Sequence, residues 1–500
     1  VTLLSLDEIE SRLRSIIRNY PSDKLLLEIH NYSKKFLGTQ IAQDHQFLPQ
    51  TAATLASFIV RWGNPFCGKS TYKFNFNLLI NLGNQYFGLD TTMDDMGGKN
   101  EQIPFEKIVH FLFRVAFSQF PFQKSLPYSL CRSLLFYEVA AQQANRRRSC
   151  PKYDFESRFL TRTGVSLRDF LSVCSIAWTA SIGNTNGFTS GYFQKAREEG
   201  IEIPKEEIVL KALDAISADP RKYRDYADKM SHPNRNLRNY NFNPLLIYPI
   251  ILPWSKPGSH RDRMIAPVPH LILYRVSEGI FYELLTQDGT KFSGWFGSVY
   301  EEYIGLLIHA SFPKAKIYSE DEIKEYNNNY TGKLVDWIVI LPSRILLFEC
   351  KIAGLSKTTI ESNELNQVND NLAPYFQGAE QLLKFKESIS KGSISLPGLS
   401  TSDLIVSTLI TYRPFYFMNA PIGGEIVKMF VPEPSSFVKP DHLFTHEEIE
   451  LMQPKLSKGD EYPISKNALI SQDISYEWIN SDFVKSHTLQ FLNGLLPINR

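Results

Sequence analysis

Five hundred residues exceed what one hydrophobic core organises, so about two or three domains are expected. A hydrophobic share of 43% excludes a wholly disordered chain. With 54 Lys and Arg against 53 Asp and Glu, net charge neither demands nor excludes a nucleic-acid partner, and only local patches can speak to one.

The five cysteines (Cys67, Cys131, Cys150, Cys174 and Cys350) are scattered and never form a CxxC pair, a pattern of reduced thiols that excludes a disulfide framework or a zinc module. The opening residues Val1-Thr-Leu-Leu-Ser-Leu-Asp-Glu-Ile-Glu10 carry acids where a signal peptide needs bases. The longest apolar run, Pro244 to Trp254, is too short and too interrupted by proline to span a bilayer. The expectation is a soluble cytoplasmic protein with no membrane partner.

In chain order, residues 1–235 read as an α-helical regulatory or sensor region. Leu6 to Ile17, Ile108 to Phe117, Leu130 to Ala144 and Val165 to Ala180 space apolar residues three and four apart. Ser166, with Asp169 three residues on, is a helix-start signal. Residues 236–270, rich in Asn, Pro, Arg and aromatics, read as an irregular connector docked on the surface. Residues 271–415 then read as helix (271–285), helix (297–310), strand (315–319), strand (334–341), strand (345–352), a polar loop around Leu355 to Asn371, helix (373–388) and strand (403–411). The tail 416–500 mixes short strands and helices and is expected to pack on that domain.

One stretch carries chemistry: Lys333-Leu-Val-Asp-Trp-Ile-Val-Ile-Leu-Pro-Ser-Arg-Ile-Leu-Leu-Phe-Glu-Cys-Lys-Ile352. Two apolar, β-branched runs flank Pro342-Ser343, a turn signal. A hairpin symmetric about that turn pairs Leu341 with Arg344, and counting outward sets Asp336 opposite Glu349. Residues paired across strands share a face about 4.5–5.5 Å apart. Lys351, two residues beyond Glu349, shares that face at about 7 Å. Two carboxylates confined to an apolar strand pair repel, and their burial is costly. A divalent cation such as Mg²⁺ or Mn²⁺ resolves the conflict, being a hard ion that takes carboxylates, water and phosphate.

An Asp, a spacer and Glu-x-Lys on adjacent strands resembles the PD-(D/E)xK nuclease superfamily. The fold class expected is therefore multidomain α + α/β, a mostly α-helical N-terminal region followed by an αβββαβ restriction-endonuclease-like domain. The resemblance implies that Asp336 and Glu349 hold the metal, helped by the Cys350 carbonyl, and that Lys351 positions the attacking water. Gly297-Ser-Val-Tyr-Glu-Glu-Tyr-Ile is similar to the family's Phe-Glu-x-Tyr-Val helix, which makes Glu301 a further catalytic acid, with Glu302 as the adjacent alternative. Gln377 and Gln381 are similar to a glutamine that some members place beside the site. Val335 stands where the motif's name has proline. The implied activity is metal-dependent hydrolysis of phosphodiester bonds, in DNA or RNA, tRNA included. A helical region beside such a core looks like bacterial effectors of anti-phage defence, which implies a phage-derived protein as trigger.

Other signals compete. Arg235, Arg238, Arg261 and Arg263, with His260 and interleaved with Tyr240 and Phe242, are candidates for gripping a phosphate backbone, and a polar connector is the plainer reading. Asn145-Arg-Arg-Arg-Ser149 reads as a solvated loop. Glu322-Ile-Lys324 repeats Glu-x-Lys within a polar run and reads as solvated surface. Gly63-Asn-Pro-Phe-Cys-Gly-Lys-Ser70 fits GxxxxGK[ST] and would make an NTPase only with a strand before it and a helix after it. His442 and His446, four apart, read as surface residues. The rivals of the nuclease are a binding protein that keeps the nuclease fold without activity, an NTPase using Gly63 to Ser70, and a plain Lys351 salt bridge at a sheet edge.

Overall fold

The computed structural model describes residues 4–34, 49–65, 75–88, 104–119, 129–231, 234–252, 263–352, 365–414, 421–431, 437–462 and 480–495, with Met418 and Trp478 as single positions. These form two compact units. The first comprises Val1–Ser133, Asp154–Gln287 and Gln490–Arg500, and the second Leu134–Tyr153 and Asp288–Leu489. The second unit therefore begins later than residue 271 and takes in a short strip from the N-terminal half.

The first unit is helical, as the apolar spacing predicts. Helix Leu6–Arg18 buries Leu6, Ile9, Leu13 and Ile17 on one stripe and starts with a capping box between Ser5 and Glu8. Ser166 caps helix Leu167–Gly183, its hydroxyl accepting from the Asp169 N–H at 3.2 Å. Helix Pro49–Trp62 runs directly into Gly63, so a helix stands where a phosphate-cradling loop needs a strand; Phe66 to Ser70 lie outside the described residues. The connector is irregular but not superficial. Its Ile250–Ile251 forms strand β2, parallel to β1 (Ser217–Ala218), and Leu245, Leu246, Ile250 and Ile251 are buried. Apolar side chains outweighed the polar texture there.

The second unit is built on a mixed five-stranded sheet ordered β3 (Lys316–Ser319), β4 (Trp337–Leu341), β5 (Arg344–Lys351), β6 (Leu404–Thr411) and β7 (His442–Thr445). The first three strands are antiparallel neighbours, while β6 and β7 run parallel to β5. β4 is buried at every position but Leu341, and β5 at every position but its ends Arg344 and Lys351, the near-continuous burial that their unbroken apolar runs predict. Helix Leu365–Ser390 makes the crossover from β5 to β6. It starts before 373 because the chain carries the helix through Pro374, a residue normally found in a first turn. Residues 355–364 of the expected polar loop lie outside the described residues, and 365–371 are helix. β7 and helix His446–Leu456 extend the sheet unit past residue 415.

The helical run Glu278–Ser311 breaks at Gly289, where φ is 50° and ψ is −124°, a combination that favours glycine. Helix Glu320–Tyr326 follows β3 directly, capped by Ser319 and Glu322, so the second Glu-x-Lys is a capped helix with Glu322 exposed. Among the described residues no helix is long and apolar enough to cross a membrane, and the cysteines are unbridged.

Candidate functional site

The β4–β5 hairpin has the register counted from its turn. Ser343 takes a φ of 65° to close the two-residue loop, Leu341 pairs with Arg344, and the ladder runs out to Trp337 opposite Phe348. Asp336 follows, one residue past the ladder and level with Glu349. Its Oδ2 accepts the Cys350 N–H at 2.6 Å, an N–H that a continued ladder would send to the Val335 carbonyl. The sheet thus frays where the motif begins, and a side chain replaces the backbone acceptor. β5 is the central strand of the five, so Glu349 and Lys351 do not lie on a sheet edge.

Glu349 is fully buried, yet both of its oxygens are engaged. Oε1 accepts from Lys351 Nζ, and Oε2 accepts from Gln381 Nε2 at 2.9 Å. Gln381 also donates to the Leu334 carbonyl, tying the crossover helix to both strands of the hairpin. Of the two candidate glutamines, Gln381 therefore reaches the site, and Gln377 is exposed. Gly378, one turn before Gln381, lets the helix approach: a Cβ there would meet Leu409 Cδ1 at 2.6 Å and Lys351 Cγ at 3.4 Å.

Glu301 and Glu302 lie on the helix after Gly289, and Arg147 holds both. Its Nη1 is 3.0 Å from Glu301 Oε2 and 3.2 Å from Glu302 Oε1, and its Nε is 3.5 Å from Asp321 Oδ2. The middle arginine of the 146–148 run is thus turned inward, with its side chain 16% exposed, instead of being solvated. Of the two, Glu301 is pushed up in part by the Asp336 charge, while Glu302 lines a cleft with His309 and Trp337. Glu320, read as part of a solvated run, is half-buried beside the site, its N–H donating to the Asp336 carbonyl at 2.9 Å. Arg147 lies far upstream, so no sequence spacing linked it to the motif. Glu320 had a signal, being the first residue after an expected strand.

Four carboxylates and one ammonium therefore act on one another in a poorly solvated pocket. Burial, then the Glu349 charge, pushes Asp336 well above the usual carboxylate range. Burial raises Glu349 to about 7 against the opposing pull of Lys351. Burial and Asp336 raise Glu301 to about 8, with Arg147 opposing. Glu320 is raised, chiefly by burial. Burial works to lower Lys351, but the Glu349 and Asp336 charges outweigh it and leave the ammonium above its ordinary value. This cluster of buried acids, whose ionisation burial opposes, presents hard oxygen donors that fit a divalent cation of the Mg²⁺ or Mn²⁺ kind, with Asp336, Glu349 and the Cys350 carbonyl as the groups that would hold it. The carboxylate oxygens of Glu301, Asp336 and Glu349 do not all lie within 4.8 Å of one another, and Lys351 and Arg147 stand against two of these acids.

The raised acids set a pH dependence of stability. Glu349 and Glu301 prefer protons in the fold up to about 7 and about 8, against 4.5 for the ordinary side chain. Between those limits the native state binds more protons than the unfolded chain, so raising the pH destabilises the cation-free protein. The loss is on the order of a few kcal/mol. In EDTA the melting temperature is expected to fall from pH 5 to pH 8. Mg²⁺ should reduce that fall, and Glu349→Gln, which cannot ionise, should flatten part of it. A melting temperature rising over this range would overturn the assignment.

The basic residues of the connector belong to the first unit and are largely spoken for. Arg238 pairs with Asp7 and Glu10, both at 2.6 Å. Arg263 donates to the Asn186 carbonyl at 2.6 Å and lies 3.5 Å from Asp23. Arg235 is exposed, and His260 and Arg261 lie outside the described residues. His442 and His446 are buried, contrary to their surface reading: His442 stacks on Phe444 at 5.1 Å and His446 on Tyr412 at 5.3 Å. The chain matches no protein-family model, no curated protein and no solved structure.

Proposed function

We propose that the second unit is a restriction-endonuclease-like domain and that the protein is a divalent-cation-dependent nuclease hydrolysing phosphodiester bonds. The observation that carries this reading is the meeting of Asp336, Glu349, Lys351 and Gln381 at the end of a central hairpin, with Glu301 close enough for the Asp336 charge to act on it. A salt bridge alone leaves this arrangement unexplained. Lys351 and Arg147 pair with Glu349 and Glu301, yet the buried Asp336 is held by a backbone N–H, and a glutamine from the crossover helix fixes the other oxygen of Glu349. The order helix, β3, β4, β5, crossover helix and parallel β6 follows the one the PD-(D/E)xK resemblance implies, with the short helix Glu320–Tyr326 inserted between β3 and β4 as a departure from it.

In this reading a bound Mg²⁺ or Mn²⁺ supplies Lewis acidity towards the phosphoryl group. Asp336 and Glu349 hold it, each kept in place by a hydrogen bond, from the Cys350 N–H and from Gln381 respectively. Lys351 orients the attacking water and offsets negative charge as the phosphorus–oxygen bond breaks. The helical first unit suits a sensor or restraint, as in a bacterial anti-phage effector triggered by a phage protein. The test is cleavage of plasmid DNA and total tRNA, side by side, by wild type and Glu349→Ala in Mg²⁺. Cleavage of one substrate that is lost in the variant and in EDTA is expected, and it also decides DNA against RNA. Absence of both cleavage and Mn²⁺ binding would remove the reading.

A further inference from the structure

We propose that Arg147 is an internal counter-cation of this site: it holds Glu301 in the place of a divalent cation, and a bound cation must compete with it. The proposal rests on the metal-site reading above. Arg147 reaches the acids from a turn that is itself fixed. Its N–H donates to the Ala144 carbonyl at 3.0 Å, and the neighbouring Asn145 accepts from Trp295 Nε1 at 2.9 Å. Arg146 and Arg148 on either side are exposed, so only the middle residue of the run is committed inward. Its guanidinium is 3.0 Å from Glu301 Oε2, and the carboxylate oxygens of Glu301, Asp336 and Glu349 do not all lie within 4.8 Å of one another. A cleft of about 340 Å³, lined by Arg147, Glu302, Asp321, His309 and Trp337, gives a displaced guanidinium room beside its other two carboxylates.

The direction of the effect follows from charge. A guanidinium next to a carboxylate attracts it as a cation does, and it repels an approaching dication with twice the force it exerts on a single charge. Arg147 is thus a positioning residue whose removal frees Glu301 and tightens cation binding. Loss of structure cannot produce a gain in affinity.

The experiment is Mn²⁺ titration followed by electron paramagnetic resonance, at fixed pH and ionic strength, on wild type, Arg147→Met, Arg147→Lys and Glu349→Ala. Arg147→Met is expected to bind Mn²⁺ about tenfold more tightly, and Arg147→Lys to stay near wild type. Unchanged or weaker binding in Arg147→Met, with binding reduced in Glu349→Ala, overturns the role of Arg147 and leaves the metal site standing. Unchanged binding in Glu349→Ala overturns the metal-site reading itself, and this proposal with it.

Discussion

Lys351→Met is expected to lower nucleic-acid cleavage on the order of a hundredfold or more while leaving the divalent cation bound. Methionine keeps the aliphatic stem that packs at 3.4–3.5 Å from the position a Cβ would take on Gly378, so the crossover helix stays seated. What is lost is the ammonium at Glu349 Oε1 and, on the nuclease reading proposed above, its charge beside the reacting phosphate. Glu349 then faces burial with one opposing charge fewer, which makes the cation the remaining route to its ionisation. Single-turnover cleavage read beside Mn²⁺ affinity separates the two roles. Wild-type cleavage in the variant would reduce Lys351 to a counter-ion, and a parallel loss of affinity would make it part of the cation site.

Gly305→Ala is expected to destabilise the protein by about 1–3 kcal/mol and to impair the site as well. A Cβ at Gly305 would lie 2.1 Å from Trp337 Cζ2 and within 2.7 Å of two further ring atoms, so the helix or the indole must move. Neither moves freely, because Trp337 Nε1 donates to the Glu301 carbonyl at 3.1 Å and the ring is 7% exposed. Trp337 directly follows Asp336, so a displaced indole carries the motif's first acid with it. A double-mutant cycle with Trp337→Leu makes the cause measurable. Once the ring is gone, the added methyl should cost much less than in wild type. Additive costs in denaturant unfolding would show that the glycine matters for some other reason.

The hairpin and its acids were legible in the sequence because both the turn chemistry and the two-residue spacing of Glu349 and Lys351 are local. Pro342-Ser343 alone determines which residue faces which, and the observed ladder from Leu341–Arg344 to Trp337–Phe348 follows from it. Gln381 was legible only through resemblance, since its choice over Gln377 depends on how the crossover helix is rotated. Arg147 was hidden by distance along the chain. Three successive arginines look solvated unless the acids that turn one of them inward are known. Glu320 was hidden by its company: a polar run masks the one member whose place at a strand end half-buries it. The connector misled in the opposite sense, its Asn and Arg content drawing attention from the apolar residues that bury it.

The strip Leu134–Tyr153 carries a last consequence. It belongs with the sheet unit, where the Phe136 ring lies 4.1 Å from that of Tyr303 and 5.6 Å from that of Phe296 and Arg147 holds Glu301, yet the gene encodes it between the two main segments of the helical half. The sheet unit is therefore not a cassette that recombination can lift in one piece. Any exchange of the helical half between related genes has to leave this inner strip behind or bring one whose arginine and aromatics match the resident acids and rings. That ties the two halves together in inheritance wherever a breakpoint falls between them.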